Sequence, residues 1–252
     1  MGDGKALQMG TSHEFGQNFA KVFGIDYLDD TGAQQTACTT SWGVSTRMVG
    51  GLIMGHGDDR GLRVPPRLAP IQVVVMAVRD DADVIARAAA LAEELRAAGV
   101  RTHLDVKVEV SAGRRATDWE LKGVPVRLEL GPRDLAEQAV TVVDRIAGDK
   151  AAVPLAGVAA VVAERLDAAQ AAMLAEATEQ RDRHTVDVDT LEEAREASQS
   201  GWARVPWAAI GADGENDLAS SSVTVRCLVR PDGTLPEAED EPGLVAITGR
   251  SY

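Results

Sequence analysis

Cysteine is nearly absent from this chain: Cys38 and Cys227 stand far apart and belong to no ligand cluster. That excludes a disulfide framework and fits a reducing compartment, where isolated thiols serve as small core residues. Aromatic residues make up only 4% of the 252 residues, so the cores must be built mainly from Ala, Val and Leu. No apolar run reaches the roughly 18 residues that a membrane span needs, and no charged-then-apolar leader opens the sequence. The expectation is a cytoplasmic protein with no membrane partner. Positive charge is short as well, at 26 Lys and Arg against 39 Asp and Glu, a net charge of −13. Such a balance argues against a nucleic-acid partner until its distribution is considered. Residues 151–252 carry 8 basic and 18 acidic side chains, whereas residues 101–150 carry 9 of each and residues 60–100 carry 6 and 5. A polyanion can therefore dock on the middle of the chain but is repelled by much of the C-terminal part.

What is present is an ordinary globular hydrophobic content, 45%, arranged in three segments. Residues 1–70 alternate glycine-punctuated strands with short helices and close on Pro65-Pro66 and Pro70. Ala37–Trp42 reads as a strand, Ser45–Met54 as a helix, and Gly55-His56-Gly57-Asp58-Asp59 as a polar turn. Residues 71–153 open on the apolar strand Ile71–Val78. An Asp-led helix follows, with Val84, Ile85, Ala88, Leu91, Ala92 and Leu95 at helical spacing and Gly99 as its stop. Thr102–Val110, Val124–Leu130 and Ala139–Val143 read as further strands, giving an α/β domain whose helices cover a mixed sheet. Residues 154–252 begin with a helix over about Leu155–Arg181, striped by Val158, Val161, Val162, Leu166, Ala169, Met173 and Leu174. A second helix over Thr190–Ser198, strands at Trp202–Ile210 and Val223–Val229, and a Gly/Pro/acid-rich loop from Pro231 to Gly243 complete it.

Several clusters could carry chemistry. In Gln8-Met9-Gly10-Thr11-Ser12-His13 the glycine lets backbone approach a ligand, and Gln8, Thr11 and His13 offer donors and acceptors. In isolation such a stretch is a polar turn twice as often as a site. Arg47, behind Ser45 and Thr46 at a helix start, could hold fixed charge against a phosphate; alone it reads as a helix-surface residue. His56 with Asp58 and Asp59 reads as a solvated turn rather than a metal site.

The combination is more specific than its parts. Thr11-Ser12-His13 with Gly16-Gln17-Asn18-Phe19, Thr40-Ser41-Trp42-Gly43 with Thr46-Arg47, His56-Gly57-Asp58-Asp59-Arg60-Gly61, and Pro65-Pro66-Arg67 with Ala69-Pro70 together resemble prolyl-tRNA synthetase, a class II aminoacyl-tRNA synthetase. Asp118-Trp119-Glu120-Leu121-Lys122-Gly123-Val124-Pro125-Val126-Arg127 through Arg133-Asp134 resembles that family's anticodon-binding domain. Arg250-Ser251-Tyr252 resembles the ending of its archaeal/eukaryotic-like form. The resemblance implies an α/β (α+β overall) chain: the end of a class II antiparallel catalytic sheet in 1–70, a mixed-sheet anticodon-binding domain in 71–153, and a small α+β domain in 154–252.

It further implies that Gln8, Thr11, Ser45 and Arg47 bind ATP, with Gln8 near its Mg2+ and Arg47 clamping the phosphates as the catalytic residue of the third class II motif. His13, Ser41, Trp42 and Gly43 would line the proline pocket, and Lys122, Glu129 and Arg133 would read anticodon bases. Carboxylates accept from base amino groups, and Arg and Lys donate to guanine acceptors. Partners are L-proline, ATP and tRNA(Pro), with a homodimer in full-length members. The four-cysteine zinc of many relatives is ruled out, because Cys227 alone remains in that part.

The first two class II motifs of the family have no counterpart here, so the expectation is a C-terminal portion with little activity alone, monomer-like or aggregating. Alternatives remain: a stand-alone tRNA-binding or regulatory module, an unstable truncated product, or a split enzyme completed by a second chain.

Overall fold

A computed structural model describes residues 1–251; Tyr252, the last residue of the Arg250-Ser251-Tyr252 motif, lies outside the described residues. Contacts group Met1–Gly55 with the segment from Val186 onward as one compact unit, and His56–Thr185 as a second.

The first unit opens with β1 (Gly10–Gly16), α1 (Asn18–Phe23), β2 (Asp26–Leu28), β3 (Gln34–Thr36), β4 (Thr39–Val44) and α2 (Arg47–His56). β1 pairs antiparallel with β4, and β2 with β3. The expected strand at Ala37–Trp42 and helix at Ser45–Met54 are both displaced two residues toward the C-terminus. His56, expected in a turn, is the last residue of α2. Little of this stretch is buried: Ala6 and Ala20 are its only core residues, while Trp42, Val44, Phe23 and Val49 are exposed.

In the second unit β5 (Val73–Ala77) leads to α3 (Ala82–Ala97), β6 (Thr102–Asp105), α4 (Ala112–Leu121), β7 (Val126–Leu130), α5 (Pro132–Ala136), β8 (Ala139–Asp144), β9 (Lys150–Pro154) and α6 (Val158–Arg183). The sheet order is β6-β5-β7-β8-β9. β5 runs parallel to both neighbours, and β7, β8 and β9 are antiparallel to one another. All five residues of β5 are buried, which is why its sequence is a continuous apolar run instead of an alternation. The Asp81 carboxylate caps α3 by accepting from the amides of Asp83 and Val84, satisfying donors that the first turn leaves free. Val84, Ala88, Leu91, Ala92 and Leu95 then pack on the sheet with Val158, Val162 and Leu166 of α6. Leu174, expected in that stripe, is 67% exposed.

The expected strand Thr102–Val110 stops at Asp105, whose side chain accepts from the Lys107 amide and turns the chain. Backbone also approaches backbone closely here. Leu62 N donates to Leu121 O at 3.1 Å, and a Cβ on Gly123 (φ 70°) would lie 2.6 Å from Leu62 O. Only glycine fits at that position.

The remainder of the first unit holds β10 (Thr185–Asp187), α7 (Leu191–Ala197), β11 (Trp202–Pro206), α8 (Trp207–Ala219), β12 (Val223–Val229) and β13 (Val245–Arg250). Their sheet, ordered β10-β11-β13-β12, packs Ala203, Val205, Val223 and Ala246 against Ala194 and Leu218. Thr190 and Glu193 close a reciprocal cap on α7. The expected strand Trp202–Ile210 ends at Pro206, and Ile210 belongs to α8, which kinks at Gly211 (φ 57°). Cys38 and Cys227 are both exposed, not core residues as expected.

Candidate functional site

The β1–β4 ladder sets the first concavity. Thr11 faces Gly43 and His13 faces Ser41 across the pair, so strand alternation puts these side chains on one face. Gln8, just before β1, and Ser45 and Arg47, at the start of α2, close the ring around about 460 Å³. Gln8 Nε2 donates to Thr11 Oγ1 at 2.9 Å, and Arg47 Nη1 donates to the Gln8 carbonyl at 3.3 Å. Ser45 Oγ accepts from the Arg47 amide at 3.3 Å. Among the described residues Arg47 has no carboxylate partner, so most of its planar donor fork is free for an anion. Six of the seven ATP and proline candidates with side chains therefore meet at one place, with the Gly43 backbone beside them. Trp42 does not join them. It stands opposite Ser12, on the other face of the sheet, and is 78% exposed.

In the second unit Lys122, Glu129 and Arg133 do not converge. Arg133 is 89% exposed on α5 and pairs with Glu137. Lys122 Nζ sits 4.3 Å over the Trp119 ring. Both Glu129 oxygens are occupied, by Arg127 Nε and Lys150 Nζ at 2.8 Å each. Burial pushes the Glu129 pKa up, but its Lys150 and Arg127 bonds outweigh that and the net direction is down. Glu129 thus holds Arg127 and Lys150 in place.

Those two cations line a second concavity of about 120 Å³ with Arg60, Trp119, Glu120 and Arg145. Sequence reading missed these residues as a group. The available signal was the period of two, which puts Arg127 on the same strand face as Glu129.

The rim of this concavity is tied down by Asp58, read from sequence as part of a solvated turn. Its carboxylate instead receives Arg145 Nη1 at 2.9 Å and Nη2 at 2.5 Å. Arg145 is 4% exposed, and its Nε is buried with no partner among the described residues. Arg60, two residues on, pairs with Glu120 at 3.3 Å. Asp58→Ala is expected to destabilise the unit by about 2–3 kcal/mol in chemical denaturation. Removing one partner of a fully buried pair costs roughly 3–5 kcal/mol, and water at the one-third-exposed carboxylate screens part of that. The Arg145 hydrogen bonds hold the Asp58 pKa at about 2, down from 3.8. A depressed folded-state value makes this contribution complete above pH 3.8 and lost as pH falls toward 2. The stability curves of wild type and Asp58→Ala should therefore converge in that window.

Behind the same wall Asp105 Oδ1 pairs with Arg115 Nη1 at 3.1 Å, and Oδ2 accepts from Trp119 Nε1 at 2.6 Å. Arg115 Nη2 donates to the Ala77 carbonyl at 2.7 Å and its Nε to the Val110 carbonyl at 3.1 Å. Among the described residues no group of three or more His, Cys, Asp or Glu is placed to hold a metal ion. No helix of the described structure is long and apolar enough to cross a membrane.

Residues 72–165 match the anticodon binding domain family. Over its whole length the chain is 56% identical to a proline–tRNA ligase of Frankia alni. The homologues of this chain are proline–tRNA ligases. A second such ligase, proline–tRNA ligase 2 of Streptomyces avermitilis, is 53% identical over the whole chain. The chain spans about half the length of these relatives, 54% of each. The crystal structure of prolyl-tRNA synthetase from Cryptosporidium parvum, complexed with L-proline and AMP, superposes with a TM-score of 0.82 at 29% identity, covering 98% of this chain and 55% of that one.

Proposed function

We propose that the chain is the C-terminal part of a proline–tRNA ligase, supplying nucleotide contacts from residues 1–55 and anticodon contacts from residues 72–165. In the complete reaction a proline carboxylate oxygen attacks the α-phosphorus of ATP and pyrophosphate leaves. A tRNA ribose hydroxyl then attacks the prolyl carbonyl and AMP leaves. Both reacting partners come from the substrates, so the protein's task is positioning and charge stabilisation. Arg47 clamps the phosphates, and Gln8, Thr11 and Ser45 hold the nucleotide. His13, Ser41 and Gly43 shape the proline pocket. Among the described residues no cluster of acidic residues accompanies Gln8, so Mg2+ would be held chiefly by the nucleotide phosphates, with the Gln8 carboxamide oxygen as one hard ligand. The same reading puts the protein in the cytoplasm and in a family whose full-length members pair as homodimers.

The observation that carries the tRNA half is the small concavity that sets Arg127 and Lys150 beside Glu120. Proline codons begin with two cytosines, so the anticodon presents two guanines. Guanine offers O6 and N7 acceptors, which suit Arg127 and Lys150, and N1–H and N2–H donors, which suit Glu120. This assigns reading to Glu120, Arg127 and Lys150 and a supporting role to Glu129; Lys122 and Arg133 contact the flanking strand. The test is fluorescence anisotropy with a proline-type anticodon stem-loop. Changing one of these guanines to adenine should weaken binding about 10- to 100-fold, and Arg127→Ala should erase that difference. Equal affinity of the wild-type chain for both loops would sink the assignment.

One observation favours a second reading, a non-catalytic tRNA-binding or regulatory module. Arg47 and its neighbours sit in an open concavity on a two-stranded sheet that buries almost no side chains. Charge stabilisation needs a water-excluded site, whereas the core of residues 56–185 is well filled. RNA discrimination without any ATP- and proline-dependent chemistry would support this second reading.

A further inference from the structure

The second unit has another concavity, of about 490 Å³, next to the base-sized one. Trp119 lines both. Lys107, Arg114 and Lys122 line the larger one, over the buried Asp105–Arg115 pair. Most cations of this unit are neutralised by a carboxylate. Among the described residues Arg67, Arg79, Arg101, Lys107, Arg114 and Lys122 are not, and the last three share this wall. Arg101 is occupied by the carbonyls of Pro66, Arg67 and Ala69, which leaves the three as the unit's main gathering of uncommitted positive charge. In a chain of net charge −13 such a gathering opposes the overall field and marks where a polyanion can approach.

The chemistry differs from that of the base-sized concavity. There Arg127 and Lys150 are each ion-paired to Glu129 at 2.8 Å, with Glu120 beside them as an acceptor. Here the cations are exposed and unbraced apart from Lys122 on Trp119, and the space is wide and open. That suits phosphodiester oxygens, which need charge without a fixed hydrogen-bond pattern. We propose that Lys107, Arg114 and Lys122 form a phosphodiester groove that takes the RNA backbone flanking the bases read in the adjoining smaller concavity. This rests on the tRNA-binding reading and adds a site that carries affinity without base selectivity. Glu109 and Asp118 also line the groove and oppose binding there.

The experiment titrates the full chain against the proline-type stem-loop and a non-cognate loop of equal length, over a salt series. The variants are Lys107→Ala/Arg114→Ala, Glu109→Gln/Asp118→Asn and Arg127→Ala. All four groove side chains are exposed, so folding is not at stake. The double cation variant should bind both loops about tenfold more weakly. Its log–log salt slope should be shallower by about 1.4, from roughly 0.7 per single-stranded phosphate contact. Its guanine-to-adenine ratio should be unchanged. Glu109→Gln/Asp118→Asn should bind both loops more tightly. Unchanged affinity and slope in the double cation variant, with Arg127→Ala still losing discrimination, would overturn the groove and leave base reading intact. Loss of the guanine-to-adenine ratio in the double cation variant would also overturn it, by making these residues base readers. A wild-type chain that binds neither loop would overturn the groove together with the tRNA reading.

Discussion

Asp105→Ala is expected to lower the stability of the 56–185 unit by about 3–5 kcal/mol, the cost of leaving a buried guanidinium without its carboxylate. Asp105 and Arg115 are 3% and 4% exposed, so water cannot replace the missing partner. Arg115 would keep only backbone carbonyls, and Trp119 Nε1 would lose its acceptor. Burial pushes the Asp105 pKa up, yet the Trp119, Lys107 and Arg115 contacts outweigh it and the net direction is down. The ionised form is therefore the one the fold holds, and its stabilisation is present at neutral pH and fades in acid. Urea denaturation followed by tryptophan fluorescence measures the loss. Asp105→Asn keeps an acceptor for the indole and should lose less. Replacing both partners, as in Asp105→Leu/Arg115→Met, should recover much of the deficit, because no lone charge remains. A loss under about 1 kcal/mol in Asp105→Ala would mean the network does not hold the Trp119 wall that both concavities share.

The parts of the fold legible in the sequence are those where burial matches a simple period. α3 could be read from its Asp81 cap and apolar spacing, and β5 from its unbroken apolar run. α4 could not. Its two buried residues are Arg115 and Trp119, so its inward face is carried by an ion pair and an indole and leaves no apolar stripe. The Val106, Val108 and Val110 alternation extended the expected strand past Asp105, where side-chain capping of the Lys107 amide overrides it. β9 was missed because its exposed residues alternate with Ala151 and Val153 on an edge strand, too weak a pattern to register. The expected strand runs through Pro206 into the first four residues of α8, Trp207–Ile210, because Pro206 and the kink at Gly211 hide the helix start.

The candidate sites divide along similar lines. Gln8, Thr11, His13, Ser41, Ser45 and Arg47 are close in sequence to one strand pair, and the ladder brings them together. Trp42 belongs to a contiguous motif, but strand alternation separates it from its neighbours. In the anticodon-binding domain the useful groups come from α4, β7 and β9, three elements that only the folded unit gathers around one concavity. Glu129 stands out for its chemistry and Arg127 shares its strand face, but Lys150 becomes visible as a partner only through the β7–β8–β9 pairing. Asp58 was equally opaque, because its partner Arg145 lies 87 residues away.

Arg47 carries the other large expected effect. It lies at the first residue of α2, it has no carboxylate partner among the described residues, and it shares its concavity with Gln8, Thr11, His13, Ser41, Gly43 and Ser45. Fixed charge directed at a phosphate where negative charge develops typically contributes a factor of about 10²–10³ in rate. The sheet around it is open to water, so the 252-residue chain alone should have little activity. A fair test puts the chain in place of the matching 54% of the Frankia alni ligase, to which it is 56% identical. The measurement is proline-dependent ATP–pyrophosphate exchange by that chimera, with and without Arg47→Ala. Exchange that requires proline and falls about 10²–10³-fold in the variant is the expected result. A chimera that folds yet exchanges equally well without Arg47, or exchanges without proline, would contradict the assignment of residues 1–55 to nucleotide and proline handling.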